Sequence, residues 1–186
     1  MPLTRRELWL LNFYRNSELH GALLMGRLAR SVKSVDVLVG ATRHCATEAH
    51  HAALLTEVIA KLGGVIDPST ETIQMHYSQD GGIPKEMVDL LVLSEILEAR
   101  VLMSYREHLQ RSDVHPKVRQ TLQRIIQEEE AHSGEHGWAE QLIAAMPPGQ
   151  VAATREKWRV IDQKVAAQLH ARLASDFPEE GAHREC

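Results

Sequence analysis

The sequence predicts an all-α fold: four long helices set as two antiparallel hairpins, a long crossover between the hairpins, and a fifth helix near the C-terminus. Three observations predict it. Apolar residues recur every three or four positions over long stretches, with no alternating strand pattern. Short polar turns interrupt the pattern within each pair of stretches, while residues 65–83 between the pairs carry no clear period. Capping and stop residues fall at the ends of the stretches, where helices would begin and end.

Each element has its own signals. Thr4-x-x-Glu7 is a capping box, so helix one is predicted from Arg5 to about Arg30. Its seam is Leu11, Tyr14, Glu18, Ala22 and Met25, which sets Glu18 among inward positions. Residues 31–34 form a short turn, and helix two follows from about Val35 to Leu62, stopped by Gly63-Gly64. Its seam is Ala41, Cys45, Glu48, His51 (or Ala52) and Leu55. A linker of ~19 residues reaches ~60 Å, and a helix of ~28 residues is ~42 Å long. Segment 65–83 can therefore cross the length of the bundle, so that helix three runs parallel to helix two. Pro84 suits a first helical position, and helix three is predicted to about Gln110 along Val88, Leu91, Glu95, Glu98, Leu102, Tyr105 and Leu109. Helix four is predicted from Pro116 to about Met146, stopped by Pro147-Pro148, with Leu122, Ile125, Glu129, His132 and His136 on its seam. A fifth helix is predicted over Thr154–Ser175; Trp158, Ile161, Val165, Leu169 and Leu173 form its apolar face, to dock on the bundle or on a second subunit. The bundle thus spans 5–146 within one domain of 1–186, and 176–186 is expected to be a flexible tail.

Composition narrows the function classes. A chain of 186 residues, 44% of them hydrophobic, can bury a real core. A net charge of −4 argues against broad phosphate binding by charge alone. Two cysteines, Cys45 and Cys186, make no disulfide framework, which suits a reducing, cytoplasmic setting. Arg5-Arg6 precedes an apolar run, but Asn12, Arg15, Asn16 and Glu18 break it too early for an export signal. No apolar stretch approaches the ~18 residues of a membrane span.

The chemistry lies in a repeated Glu-x-x-His. Glu48-x-x-His51 and Glu129-x-x-His132 each aim a carboxylate and an imidazole from one helix face. The motif alone is weak, since Glu180-x-x-His183 in the tail matches it too. The arrangement is stronger. Glu18 to Glu48 is 48 − 18 = 30 residues and Glu98 to Glu129 is 129 − 98 = 31, each with a turn midway. Each hairpin then sets a lone Glu opposite a Glu-x-x-His, as a bundle needs to hold two metal ions. Four inward carboxylates are costly to bury unpaired, and two divalent cations would cancel them. An oxygen-rich donor set with one His per ion suits iron or manganese. Predicted ligands are therefore Glu18, Glu48, His51, Glu98, Glu129 and His132, with Glu95 as an additional or alternative ligand one turn from Glu98.

In this order the six residues resemble the ferritin-like di-iron carboxylate superfamily over roughly residues 5–146. Glu98-Ala99-Arg100 is similar to the tRNA-modifying hydroxylase branch. The resemblance implies a ferritin-like four-helix bundle holding two Fe ions (or Mn). It also implies a non-haem di-iron oxidase or oxygenase of hydroxylase type that activates O2 or peroxide at a carboxylate-bridged site. Glu48 and Glu129 would bridge, Glu18 and His51 complete one ion, and Glu98 and His132 the other. Implied partners are a small-molecule or modified-nucleoside substrate and an electron donor, with a homo-oligomer through the C-terminal helix as a further option. The alternative is a ferritin- or rubrerythrin-like protein that handles iron or scavenges peroxide without an organic substrate. No rubredoxin-type cysteine pairs are present.

Other residues have structural expectations. Tyr14 and Tyr105 could hydrogen-bond a ligand or carry redox chemistry, or serve as core aromatics. Cys45 is expected to be a buried thiol. His44 and His50 are expected in solvent or at caps, and Glu128 and Glu130 on the surface. Asp89 or Asp36 could orient a ligating histidine.

Overall fold

A computed structural model describes residues 2–132 and 137–178, with the side chains of 131, 132 and 137 excepted. Among these residues the chain is all-helical, without strands: α1 (Arg5–Ser31), α2 (Val35–Lys61), α3 (Ile73–Gly81), α4 (Met87–Leu109), α5 (Pro116–His132), α6 (Gly137–Ala144) and α7 (Pro148–Asp176). No described helix is long and apolar enough to cross a membrane.

The helix starts follow local chemistry. Thr4 caps α1, its hydroxyl accepting from the Glu7 amide at 3.0 Å. Lys61 ends α2, and Gly63 follows at φ 73°, a left-handed conformation that glycine adopts without a Cβ clash. Cross-helix contacts give the directions. Arg15 meets Thr56 and Gly26 meets Cys45, so α1 and α2 are antiparallel. Tyr14 meets Ser104 while Glu7 faces His108, so α4 is antiparallel to α1 and parallel to α2. His51 meets Glu128 and Gly40 meets Trp138, so α5 and α6 run against α2. Leu11, Leu55, Ile59, Leu91, Leu122 and Ile125 from the four longest bundle helices are fully buried in one shared core.

Three sequence expectations need correction. Segment 65–83 is not aperiodic throughout: it contains α3, whose cap Thr72 accepts from the Met75 amide. At nine residues α3 is too short for a visible period, and packing holds it. Its Tyr77 is fully buried and donates to Asp162, and the Ile73 amide donates to Ser17 Oγ at 3.0 Å. Pro84 does not start the third long helix; α4 begins at Met87 after Glu86. Pro147-Pro148 acts as a start rather than only a stop, because proline suits a first turn. Helix α7 therefore begins at Pro148, ahead of the predicted Thr154. The predicted helix four appears as α5 and α6, and 133–136 lie outside the described residues, as does tail segment 179–186.

Helix α7 docks on the bundle, against α3 and α4. Trp158 and Val165 are fully buried. Trp158 Nε1 donates to Asp89 at 3.0 Å, and Arg100 holds Asp162 through two bonds of 2.8 and 2.6 Å. A two-pronged guanidinium–carboxylate pair fixes orientation as well as distance, so α4 is held in register two residues beyond Glu98.

Candidate metal centre

Helix geometry brings the predicted residues together. Glu18 (α1), His51 (α2) and Glu129 (α5) offer three ligand atoms within 4.8 Å of one another, a grouping that could hold a metal ion. His51 Nδ1 lies 2.9 Å from Glu129 Oε1 and 3.6 Å from Glu18 Oε2, without hydrogen-bond geometry to either. Glu18, Glu48, Glu98 and Glu129 line one void of about 50 Å³ together with His44 and Gln74. The side chain of His132, and the whole of His136, lie outside the described residues.

The electrostatics are those of crowded acids. Burial pushes the Glu48 carboxyl well above the carboxylate range, and Glu18, Glu129 and Glu98 push it further. Glu98 is raised to about 7 by burial and by Glu129, Glu95 and Glu18, with His44 opposing. Burial pulls the His51 imidazole down, but Glu129 and Glu18 outweigh it and push it up to about 10. In the metal-free protein His51 is thus the cation of the cluster, and a metal ion would take over that charge.

Glu95 and Glu98 are separated by their partners. Glu95 pairs with Arg155 at 3.1 Å. The Glu98 carboxylate lies 3.5 Å from His44 Nε2 and borders the void. Both acids line a larger cavity of about 330 Å³, with Met25, Leu91 and Trp138 as apolar walls. Tyr105 is fully buried and donates to Glu18 Oε1. Tyr14 stacks edge-on against Tyr105 with ring centroids 4.7 Å apart, and its hydroxyl donates to the Ser104 carbonyl. Burial raises both phenols above their ordinary range.

Three expectations for flanking residues are overturned. His44 is not in solvent or at a cap: its side chain is 10% exposed and its Nε2 is 3.1 Å from Glu48 Oε1. It precedes Glu48 by one turn, so the same helix face carries both. Glu128 is not simply a surface charge. Its Oε2 is 3.2 Å from His51 Nε2 while its Oε1 accepts from Arg124 at 2.7 Å. It therefore holds the face of His51 opposite the acids, a place the sequence left open to Asp89 or Asp36; Asp89 binds Trp158 and Lys157. Cys45 is a half-buried free thiol against Gly26. Gln74 was invisible because α3 was. Its Nε2 donates to the Ser17 carbonyl, leaving a buried Oε1 without a hydrogen-bond partner beside the void.

Partners on the far side of a ligating histidine usually matter 10–100-fold in metal affinity, by order of magnitude. Glu128→Leu should weaken metal binding by roughly that factor, measured by competition with a chelator. Glu128→Gln, which keeps an acceptor, should lose less. Equal losses in the two variants would rule out orientation of His51 as the cause.

Gly21 gives a second handle. A Cβ there would lie 2.3 Å from Glu48 Oε2, so the carboxylate occupies space that only glycine leaves. Gly21→Ala gains ~1 kcal/mol of helix propensity, yet it must push Glu48 aside. We expect unchanged or higher stability of the metal-free protein together with weaker metal binding. Full retention of metal affinity would show that the Glu48 position does not matter.

Comparison with protein-family models, curated proteins and solved structures finds no match for this chain.

Proposed function

We propose that the chain is a ferritin-like four-helix di-metal protein, and that it works as a non-haem di-iron oxidase or oxygenase of hydroxylase type. The observation that carries this is the convergence of four carboxylates, one from each of α1, α2, α4 and α5, on one small void beside the buried imidazole of His51. Among the described residues that line this void there are four acids and no Lys or Arg, a donor set that fits divalent ions. Glu18 and His51 would hold one ion and Glu98 and His132 the other, with Glu48 and Glu129 shared. Such a pair supplies redox chemistry toward O2 or peroxide.

The chain's own groups set the conditions for it. Glu128 takes the Nε2 side of His51, so Nδ1 is left facing the acids. Tyr105 holds Glu18 from the core side. The cavity of about 330 Å³ places Met25, Leu91 and Trp138 beside Glu98 and Glu129, a mixed apolar and acidic chamber where an organic substrate could rest its apolar part. Gly40 makes the Trp138 wall possible, since a Cβ there would lie 2.3 Å from the indole.

This chamber favours a substrate-oxidising enzyme over an iron store. Protein expressed with ample iron should hold about two ions per chain by elemental analysis and elute as a small species in size-exclusion chromatography with light scattering. Fewer than about one ion per chain would remove the metal reading. A closed multi-subunit cage would transfer the protein to the iron-storage reading.

A further inference from the structure

Helices α1 and α2 turn an uncharged face outward. Val35, Leu38 and Val39 share one side of α2, and Leu19 and Leu23 lie one turn apart on α1. All five are exposed, Leu23 by 64% and Val35 by 71%. The other exposed large apolar residues, Val65, Met75, Ile83, Met103 and Val160, stand singly on separate segments, which is ordinary for a surface. On α2 the same side continues through Thr42, Ala46, Ala49 and Ala53, also exposed and uncharged. His50 is drawn off toward α5 by Arg124 and Glu128. The contacts of Gly26 with Cys45 and of Arg15 with Thr56 set Leu19 and Leu23 level with residues 48–52 of α2, so the two helices form one strip.

We propose that this strip is the interface of a homodimer, in which α2 crosses the α2 of a second copy antiparallel, about a two-fold axis near Ala46. The strip is self-complementary about that point. Val39 and Ala53 are equidistant from Ala46 along α2, so a two-fold axis sets each valine against the other copy's alanine, a large side chain into a small one. The exposed alanines let two helices approach to the ~8–10 Å of packed axes. The size also fits. Helix α2 has 27 residues, about 40 Å at 1.5 Å each, and with α1 beside it the strip is roughly 20 Å wide. That is ~800 Å² per copy, the area of a standard interface. Charge chooses the direction. A parallel pairing would set Arg27, Arg30 and Lys33 against their own copies, whereas the antiparallel one keeps them apart and brings each Lys33 toward the other copy's Glu57. The chain's own remaining segments do not suit the strip: 133–136 and 179–186 contain no large apolar residue. Helix α7 gives its apolar side to the bundle, and its exposed side carries Arg155, Glu156, Arg159 and Lys164. The proposal stands apart from the metal reading, because no predicted ligand lies in the strip.

Sedimentation equilibrium of the full chain, from about 1 to about 100 μM, tests it. The native protein should reach twice the chain mass with a Kd below about 10 μM. Val39→Arg and Leu23→Glu should each raise that Kd at least about tenfold while circular dichroism stays unchanged, since both positions are exposed. Val160→Arg, on the outer side of α7, should dimerise as the native protein does. Ala53→Glu should also weaken the dimer. Mixed with Val39→Arg it should recover association, because the mixed pair joins one arginine to one glutamate and keeps one native contact; native mass spectrometry identifies the heterodimer. A native protein that stays monomeric, native association in folded Val39→Arg and Leu23→Glu, loss of the dimer in Val160→Arg, or no recovery on mixing would each overturn the proposal.

Discussion

His51→Ala should reduce bound iron from about two ions per chain to fewer than one, and abolish the rise in Tm that metal gives the native protein. His51 is fully buried, with Nδ1 toward Glu129 and Glu18 and Nε2 toward Glu128. No other described imidazole approaches both Glu18 and Glu129. The substitution also strips the metal-free cluster of its buried cation, and breaking such a pair costs ~3–5 kcal/mol. Metal loss and instability must therefore be read apart. The difference in Tm between metal-loaded and metal-free samples of the same variant isolates binding. Glu57→Gln, at an exposed pair with Lys61, should leave both readings as in the native protein. A His51→Ala protein that keeps the native metal-induced rise would refute the assignment of this centre.

The metal-free protein should lose stability as pH rises from about 5 to about 9, and saturating metal should reverse that trend. The sign follows from three groups. Glu98 keeps its proton to about 7 in the native state against an ordinary 4.5, and Glu48 is raised in the same sense. His51 keeps its proton to about 10 against an ordinary 6.5. Between each ordinary value and the native one, the folded chain holds a proton that the unfolded chain has released. Rising pH therefore favours unfolding across both windows. Acids lowered by partners, such as Asp162 beside Arg100, act in the opposite sense but only below the ordinary carboxylate range. Metal binding needs ionised glutamates and a neutral imidazole, so its contribution grows with pH. Melting curves with and without Mn(II) across this range measure both slopes. A metal-free Tm that is flat or rises would show that the acids are not crowded as described.

Much of this was legible in the sequence because helical spacing is a strong signal. Glu18, Glu48 and Glu98 fall on apolar seams, and equal distances about two turns set their heights. What spacing cannot show is where a side chain ends. His44 follows exposed Arg43 and Glu128 follows exposed Gln127, yet both are partly buried. Their long or planar side chains swing toward the acids or toward His51, and that depends on packing between helices. Glu95 and Glu98 share one seam, and partners on other helices, Arg155 for Glu95 and His44 for Glu98, separate them. Helix α3 escaped because a nine-residue helix is held by Tyr77, Ser17 and Asp162 rather than by its own period. Gln74 went unnoticed with it.

The pairing of His51 with Glu128, 77 residues apart, has a consequence for assembly. The first hairpin carries Glu18, Glu48 and His51; the second carries Glu98, Glu128 and Glu129. Neither hairpin alone holds a full donor set or the brace that orients the imidazole. A cation held at the proposed site would thus need α5 in place, and contacts so distant along the chain carry a loop-closure cost that precedes their gain. If the proposed site is loaded, tight metal uptake would therefore report that the two halves have docked.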